Sequence, residues 1–320
     1  MRLRWASWTC VRQAGLVVWL LLAPWAAFSA EPRVVASIKP IHALVAGVMQ
    51  GVGAPRLLAP GGASPHDYSL RPSDARAIAE ADVVFWVGPE LEGFLVKPLD
   101  NAKDKVRSVA LLDAPEVTVW PLRQGGAWET HDHGHAADDH DHAHDRQAGR
   151  DPHLWLDPVN AAAMVRRIVA VLSEIDPLHR ADYQHNGAML IERLDRLNQQ
   201  LAAGLASIQT RPYIVFHDAY QYFERRYGLD AVGSIVLHPE QRPSARRVAE
   251  IQDRIGTLGV RCVFSEPQFQ PALIATVIGD SGARQGVLDP LGAELSAGPD
   301  AYFLLLSTLS DALRNCLGGS

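Results

Sequence analysis

The residues of this sequence best suited to bind a metal ion are histidines. Three of them lie near predicted strand ends or in the loops between elements, in the segments GASPHDYSL (His66), DPHLWLDP (His153) and YIVFHDAY (His217). Asp289 has the matching place in VLDPLG, at the end of the last predicted strand. Neutral imidazole nitrogens together with a carboxylate satisfy the tetrahedral coordination of Zn²⁺ at about 2.0–2.2 Å. We therefore consider these four side chains as candidate ligands of one metal ion.

Spacing alone does not establish such a site, because no short motif such as HExxH joins the histidines. A single histidine near a strand end is more often a hydrogen-bonded structural residue, and this alternative stays open for each of them. Each histidine is followed by an acidic residue, namely Asp67, Asp157 and Asp218. These carboxylates are candidates to accept the second ring N–H and so fix the tautomer.

A separate acidic tract within residues 121–150 contains six histidines among aspartates and almost no apolar residues. Such a segment buries too little surface to offset its ordering entropy, so we predict a mobile surface loop. Three interpretations stay open, namely a low-affinity metal reservoir, a sensor of the zinc level and a solvated acidic tract. The histidines that would bind auxiliary metal are His131, His133, His135, His140, His142 and His144.

The pattern of apolar runs predicts the elements that position the candidate ligands. Short β-branched runs alternate with helical stretches in two parts of the chain, which is typical of parallel βαβ units. Ligand sites gather in the loops at the carboxyl ends of such strands. The sequence therefore predicts two α/β lobes, with strands at residues 34–38, 56–60, 83–88 and 106–112 in the first and 213–218, 231–237, 261–266 and 285–290 in the second.

A long helical segment is predicted between the two lobes. Asp176 and Pro177 suit the start of a helix, and apolar residues then recur with helical spacing. The stripe consists of Leu190, Leu194, Leu197, Leu201, Leu205 and Ile208. We therefore divide the chain into a lobe at 31–175, a connecting helix at 176–210 and a lobe at 211–320.

The first 30 residues (1–30) have the layout of a secretory signal peptide. Arg2, Arg4 and Arg12 precede an apolar run at 14–28, which is shorter than the roughly 20 residues that a membrane-spanning helix needs. Cleavage is expected near Ala30 and would release the protein into the periplasm. The formal charge of the whole chain is −6, which argues against nucleic acid as a partner and suits a protein that collects cations.

Two cysteines, Cys262 and Cys316, remain after that cleavage. An oxidising compartment favours a disulfide between them, and two buried free thiols are the alternative. A disulfide would stabilise the second lobe by about 4 kcal/mol in the chain-entropy treatment.

Several long stretches of the sequence resemble one family of transport proteins. They include HDYSLRPSDAR, DVVFWVGPELEGFLVKP, HLWLDP, FHDAYQYFERRYGL, CVFSEPQFQPA, LDPLG and the terminal NCLGG. From residue 58 onward the chain is similar to the periplasmic zinc-binding protein of the high-affinity zinc ABC importer, a cluster A-I solute-binding protein. The resemblance implies two (β/α)₄-like lobes joined by a rigid helix, with metal bound in the cleft. It also implies ligand roles for His66, His153 and His217 and a disulfide between Cys262 and Cys316.

One position departs from the family pattern and leaves the fourth ligand open. Some zinc-binding members have a glutamate directly before the first ligand histidine, where this chain has Pro65. The fourth ligand is then Asp289 or water, and we favour Asp289 because manganese-binding and other zinc-binding relatives use the equivalent aspartate. The manganese-binding relatives resemble this layout but have a glutamate in place of His217. Three imidazoles therefore favour zinc.

The sequence thus predicts a binding protein, not an enzyme, that captures Zn²⁺ and delivers it to the membrane permease of an ABC importer. We expect it to be a monomer. A manganese- or iron-binding protein of the same fold is one alternative. A periplasmic zinc hydrolase is another, and it would need an open coordination position and a general base such as Glu240 or Glu266.

Deleting residues 131–144 tests where the tightest metal site lies. We expect fewer zinc ions bound per protein and an unchanged tightest site, because a mobile tract holds metal less tightly than a preformed cleft. Equilibrium dialysis and competition with a chelator measure the two quantities. Loss of tight binding in this variant would locate the main site in the tract.

Overall fold

Two four-stranded parallel sheets form the framework of the chain. A computed structural model describes residues 31–62, 64–123, 128, 149–236, 243–269 and 272–319. The predicted signal peptide and the six histidines of the acidic tract lie outside these residues. Within the described ranges, no helix is long and apolar enough to cross a membrane.

The two central strands of the first sheet are apolar on both faces. The strands of this sheet are β1 (Val34–Ile38), β2 (Arg56–Ala59), β3 (Val83–Trp86) and β4 (Arg107–Ala110), in the spatial order β2-β1-β3-β4. All neighbours are parallel. The central strands β1 and β3 are buried throughout, as expected for a parallel sheet with helices on both faces. The helices that follow its first three strands are α1 (Lys39–Val48), α2 (Pro72–Glu80) and α3 (Gly93–Ala102).

The second sheet repeats this topology. Its strands are β5 (Tyr213–His217), β6 (Ala231–Val236), β7 (Cys262–Ser265) and β8 (Arg284–Val287), in the order β6-β5-β7-β8 and all parallel. Its helices are α6 (Gln221–Tyr227), α7 (Ala245–Leu258), α8 (Ala272–Ile278) and α9 (Ala301–Leu317). In each sheet the first strand lies between the second and the third. The predicted α/β fold with two parallel-sheet lobes is confirmed.

Two long helices, α4 (Pro158–Ile175) and α5 (Arg180–Leu205), connect the sheets. The 26 residues of α5 correspond to roughly 39 Å at 1.5 Å per residue. Its predicted apolar stripe is buried from Leu190 to Ile208, in one cluster that also contains Phe85 of β3 and Phe264 of β7. Because this core is continuous with both sheets, α5 packs as a strut between them. The predicted lobe boundaries at 175 and 210 stay a prediction.

A disulfide joins Cys262 at the start of β7 to Cys316 near the end of α9. It closes a loop with a sequence separation of 54 residues and fixes the C-terminal helix on the second sheet. The predicted pairing is confirmed, and the alternative of two free thiols is wrong.

Glu92 is a fully buried carboxyl group beside the first sheet. Its oxygens accept hydrogen bonds from the backbone N–H groups of Val87 (3.0 Å) and Gly88 (2.9 Å), and the Ser37 hydroxyl bonds to it as well. Burial raises the pKa of Glu92 from 4.5 to about 7. The folded protein therefore retains a proton that the unfolded chain loses at lower pH.

Replacing Glu92 by glutamine tests this cost of burial. The proton that Glu92 retains stabilises the folded wild type. This contribution is fully present below pH 4.5, the pKa of Glu92 in the unfolded chain, and is lost as the pH rises through about 7, its pKa in the folded protein. From about pH 5 to about pH 8, metal-free Glu92→Gln should gain on the order of 3 kcal/mol in unfolding free energy relative to the wild type. Urea denaturation in the presence of a chelator measures this difference. A difference independent of pH would contradict a raised pKa for Glu92.

Candidate metal centre

His66 enters the site from a short 3₁₀ turn, Pro65–Asp67, that follows β2. Pro65 fixes the first φ of the turn, and the Ser64 hydroxyl accepts a hydrogen bond from the His66 N–H at 3.3 Å. The local sequence therefore holds the backbone of His66 in a defined turn. Its side chain is half-buried at the cleft.

His153 lies directly before a 3₁₀ turn, Leu154–Leu156, that leads into α4. It is 4% exposed. Its Nδ1 donates to the Asp151 carboxylate at 2.8 Å, and the other Asp151 oxygen accepts from Gln221 Nε2 at 2.9 Å. A donating Nδ1–H leaves the lone pair of the ring on Nε2.

His217 is the last residue of β5 and therefore lies at the carboxyl edge of the second sheet. Its Nδ1 donates to Glu266 at 2.6 Å. Glu266 directly follows β7, the parallel neighbour of β5, so the two side chains meet at the same edge. The buried carboxylate fixes the same tautomer that Asp151 fixes in His153.

The three imidazoles converge. The ring centroids are 5.5 Å apart for His66 and His153, 6.0 Å for His66 and His217, and 5.3 Å for His153 and His217. One ring nitrogen from each lies within 4.8 Å of the others. Two nitrogens bound to one tetrahedral zinc are about 3.3 Å apart, and the Nε2 atoms of His153 and His217 are separated by 3.4 Å. The spacing of this pair already matches that of a zinc site.

The walls around these rings are mostly apolar. Pro65, Trp155, Phe269, Pro290 and Leu291 line the pocket. Because apolar walls lower the local dielectric, a cation in the pocket interacts more strongly with its ligands than it would in open water.

Asp289 is close to this pocket but is engaged elsewhere. Its Oδ1 accepts from the N–H groups of Leu291 and Gly292, both at 3.0 Å, and its Oδ2 accepts from the Ala293 N–H at 2.5 Å. The cluster of potential ligand atoms contains the three histidines and, among the described residues, no carboxylate. The structure thus brings together three of the four predicted ligands and does not bring Asp289 to them.

The predicted partners of the ring N–H groups are wrong for two histidines. Asp157 caps α4, accepts from the Val159 N–H at 2.9 Å and binds Arg226. Asp218 binds Arg123 through two carboxylate oxygens. The actual partners are Asp151, two residues before its histidine, and Glu266, which is distant in sequence but adjacent across parallel strands.

The ends of the acidic tract lie beside the site. The Leu122 N–H donates to the Gly149 carbonyl at 2.7 Å, and the Asp151 N–H donates to the Trp120 carbonyl at 2.8 Å. Asp151, which accepts the hydrogen bond from His153 Nδ1, therefore also takes part in the backbone hydrogen bonds that join the two ends of the tract. The six histidines of the tract, together with Glu240, lie outside the described residues.

Two parallel-sheet lobes, a long connecting helix and three clustered imidazoles define a solute-binding protein with a candidate metal site. The family model described as "Zinc-uptake complex component A periplasmic", ZnuA, matches residues 34–316. The high-affinity zinc uptake system protein ZnuA of Brucella abortus (strain 2308) is 48% identical over 304 residues, which cover 89% of this chain and 91% of that protein. The chain belongs to the ZnuA family.

Two of the solved structures that share this fold are structures of ZnuA. A crystal structure of ZnuA is 26% identical, with a TM-score of 0.75, and the match covers 90% of this chain and 100% of that one. A ZnuA deletion mutant with zinc bound is also 26% identical, with a TM-score of 0.74, and the match covers 91% and 100% of the two chains.

Replacing Glu266 by glutamine tests whether the carboxylate orients His217. Glutamine retains an oxygen for the Nδ1–H but removes the charge, and loss of such a partner costs about 10–100-fold in metal affinity. We expect a decrease of this size in zinc affinity, measured by competition with a chelating dye. The matched control is Glu192→Gln on α5, where the side chain is 62% exposed, and it should bind zinc like the wild type. Equal affinities for all three proteins would contradict the role of Glu266.

Proposed function

We propose that this chain captures Zn²⁺ in the periplasm and delivers it to the membrane permease of an ABC importer. Its relative in Brucella abortus is named a high-affinity zinc uptake protein, and a related ZnuA structure is described as zinc-bound. Zn²⁺ is the cargo of this protein. The ligands that we assign to it are His66, His153 and His217.

One observation carries this proposal. His153 and His217 each donate their Nδ1–H to a buried carboxylate, so each Nε2 carries a lone pair when the ring is neutral. These two Nε2 atoms face each other at 3.4 Å. Lone pairs at this distance repel each other, and a cation bound between them removes the repulsion. The arrangement therefore supports a metal site.

The donor set favours zinc over the alternative cargoes, manganese and iron. Three imidazoles make a nitrogen-rich site, whereas Mn²⁺ prefers carboxylate, carbonyl and water oxygens. The two carboxylates next to the site, Asp151 and Glu266, accept hydrogen bonds from ring nitrogens. We therefore do not assign them as ligands of the cation.

We propose water as the fourth ligand. Asp289, which the sequence favours, accepts hydrogen bonds from three backbone N–H groups and from Gln268 Nε2 at 3.0 Å. Moving it to the metal would break this set of bonds. The hydrogen bonds of Asp289 therefore support water as the fourth ligand.

Binding is favoured over zinc-dependent hydrolysis. A hydrolase needs a general base close to the metal-bound water. Glu266 is 3% exposed, and its carboxylate bonds to His217 Nδ1 at 2.6 Å. It is therefore committed to orienting a ligand, which supports a protein that binds and releases the ion unchanged.

The remaining parts of the proposal concern export and assembly. A leader at residues 1–30, cleaved near Ala30, would direct the chain to the periplasm, where the family is placed by its description. There we expect a monomer that docks on the permease once it is loaded. These expectations rest on the sequence and on the family.

Replacing His217 by alanine tests the proposed cargo site. Zinc affinity should fall by orders of magnitude because one of three imidazoles is removed, while the circular dichroism spectrum stays unchanged. Competition titrations of the chain from Glu31 onward, with Zn²⁺ and Mn²⁺ separately, measure the effect. The control is His185→Ala, an exposed histidine on α5, which should bind like the wild type.

The same titrations contain the outcomes that would overturn the assignment. Near-normal zinc affinity of His217→Ala would remove this residue from the ligand set. Tighter binding of Mn²⁺ than of Zn²⁺ by the wild type would make manganese the cargo.

A further inference from the structure

Lys39 is a buried lysine in an unusual place. It is the first residue of α1 and is 4% exposed, although the N-terminus of a helix disfavours a positive charge. An ammonium group carries three N–H donors. All three find acceptors here, since Nζ donates to the carbonyl oxygens of Gly292 (2.5 Å), Ala293 (2.8 Å) and Leu295 (2.7 Å). These acceptors belong to the other lobe, in the loop after β8.

Residues 289–295, which we call the clamp loop, lie between two opposite charges. The Asp289 carboxylate accepts hydrogen bonds from three N–H groups of the loop, and the Lys39 ammonium donates to three of its carbonyl groups. The carboxylate comes from the loop itself, whereas the ammonium comes from the first lobe. Lys39 is therefore the part of this arrangement that joins the two lobes.

The clamp loop forms part of the metal pocket. Pro290 and Leu291 line the pocket together with the three histidines. Trp155, whose ring centroid is 5.3 Å from that of His153, donates its Nε1–H to the Pro290 carbonyl at 2.8 Å. A change in the loop would therefore reach the first coordination shell through two short contacts.

We propose that Lys39 is a positioning residue that holds the clamp loop across the cleft and thereby keeps Asp289 out of the metal shell. The proposal rests on the proposed metal site. Without the ammonium, three carbonyl groups lose their donor, and the hydrogen bond from Trp155 Nε1 to Pro290 remains as a link between the loop and the first lobe. The N–H groups that occupy Asp289 move with the loop, and its carboxylate can then reach the metal. Lys39 thus maintains the preference for zinc over Mn²⁺, which binds more readily when an oxygen ligand is added.

The test uses Lys39→Met, which removes the donors and retains a long apolar side chain. The ratio of zinc to manganese affinity should fall by about tenfold or more, the size seen when a residue that orients a metal ligand is lost. The double variant Lys39→Met/Asp289→Asn should lose any gain in Mn²⁺ affinity, because the carboxylate that enters the shell is absent. The control is Lys103→Met, where the lysine is 68% exposed.

A purely structural role for Lys39 makes a different prediction. The metal-free protein would then unfold at a lower temperature, while the zinc-to-manganese ratio would stay that of the wild type, and this result would overturn the proposal. Lys39→Gln, which retains two donors, replaces Lys39→Met in all arms if the latter does not fold. Hydrogen exchange of the wild type is an independent measurement. Unprotected amides at Leu291, Gly292 and Ala293 would show that no clamp exists.

Wild-type and His217→Ala proteins, titrated in parallel, separate the two proposals. Weak zinc binding by the wild type, or no effect of His217→Ala, would mean that the proposed metal site itself is wrong. Normal behaviour of these two proteins together with a wild-type-like Lys39→Met would reject the clamp alone.

Discussion

The structure of this site depends on the hydrogen bonds that hold two imidazole rings from behind. Asp151 and Glu266 accept the Nδ1–H of His153 and His217, and both Nε2 lone pairs are thereby directed to one point. Without these two bonds, each ring could rotate or present its N–H to the cleft. Histidines at the right positions are therefore not sufficient for metal binding, because the tautomer of each ring decides whether it can bind a cation at all.

The two lobes are needed because the histidines come from distant parts of the chain. His217 and Glu266 end neighbouring parallel strands, which brings their side chains to the same edge of the second sheet. His153 stands before α4 on the opposite wall, and Asp151 receives Gln221 from the second lobe at 2.9 Å. The apolar stripe of α5 packs into a core shared by both sheets. This core fixes the distance between the walls of the cleft and so the distance between the rings.

The fold could be predicted from the sequence in more detail than the site. Buried parallel strands are continuous apolar runs, so their positions are visible locally, as for VVASI in β1. The convergence of three histidines could be anticipated only with the family resemblance, since no motif links them. The partners of the rings could not be predicted from neighbouring residues. Asp157 caps a helix and Asp218 pairs with Arg123, and a carboxylate after a strand, such as Asp289, has the same local sequence whether it binds metal or backbone.

The balance of charge explains why a divalent ion suits this pocket. Two carboxylates stand behind neutral imidazoles within mostly apolar walls, at exposures of 0% for Asp151 and 3% for Glu266. Isolated charges in such surroundings are costly, and a nearby opposite charge offsets that cost. One dication between the rings balances both carboxylates at once, whereas a monovalent ion balances only one of them. The imidazoles bind the cation directly and therefore determine which type of metal is preferred. The buried carboxylates, each hydrogen-bonded to one of these imidazoles, favour a charge of +2.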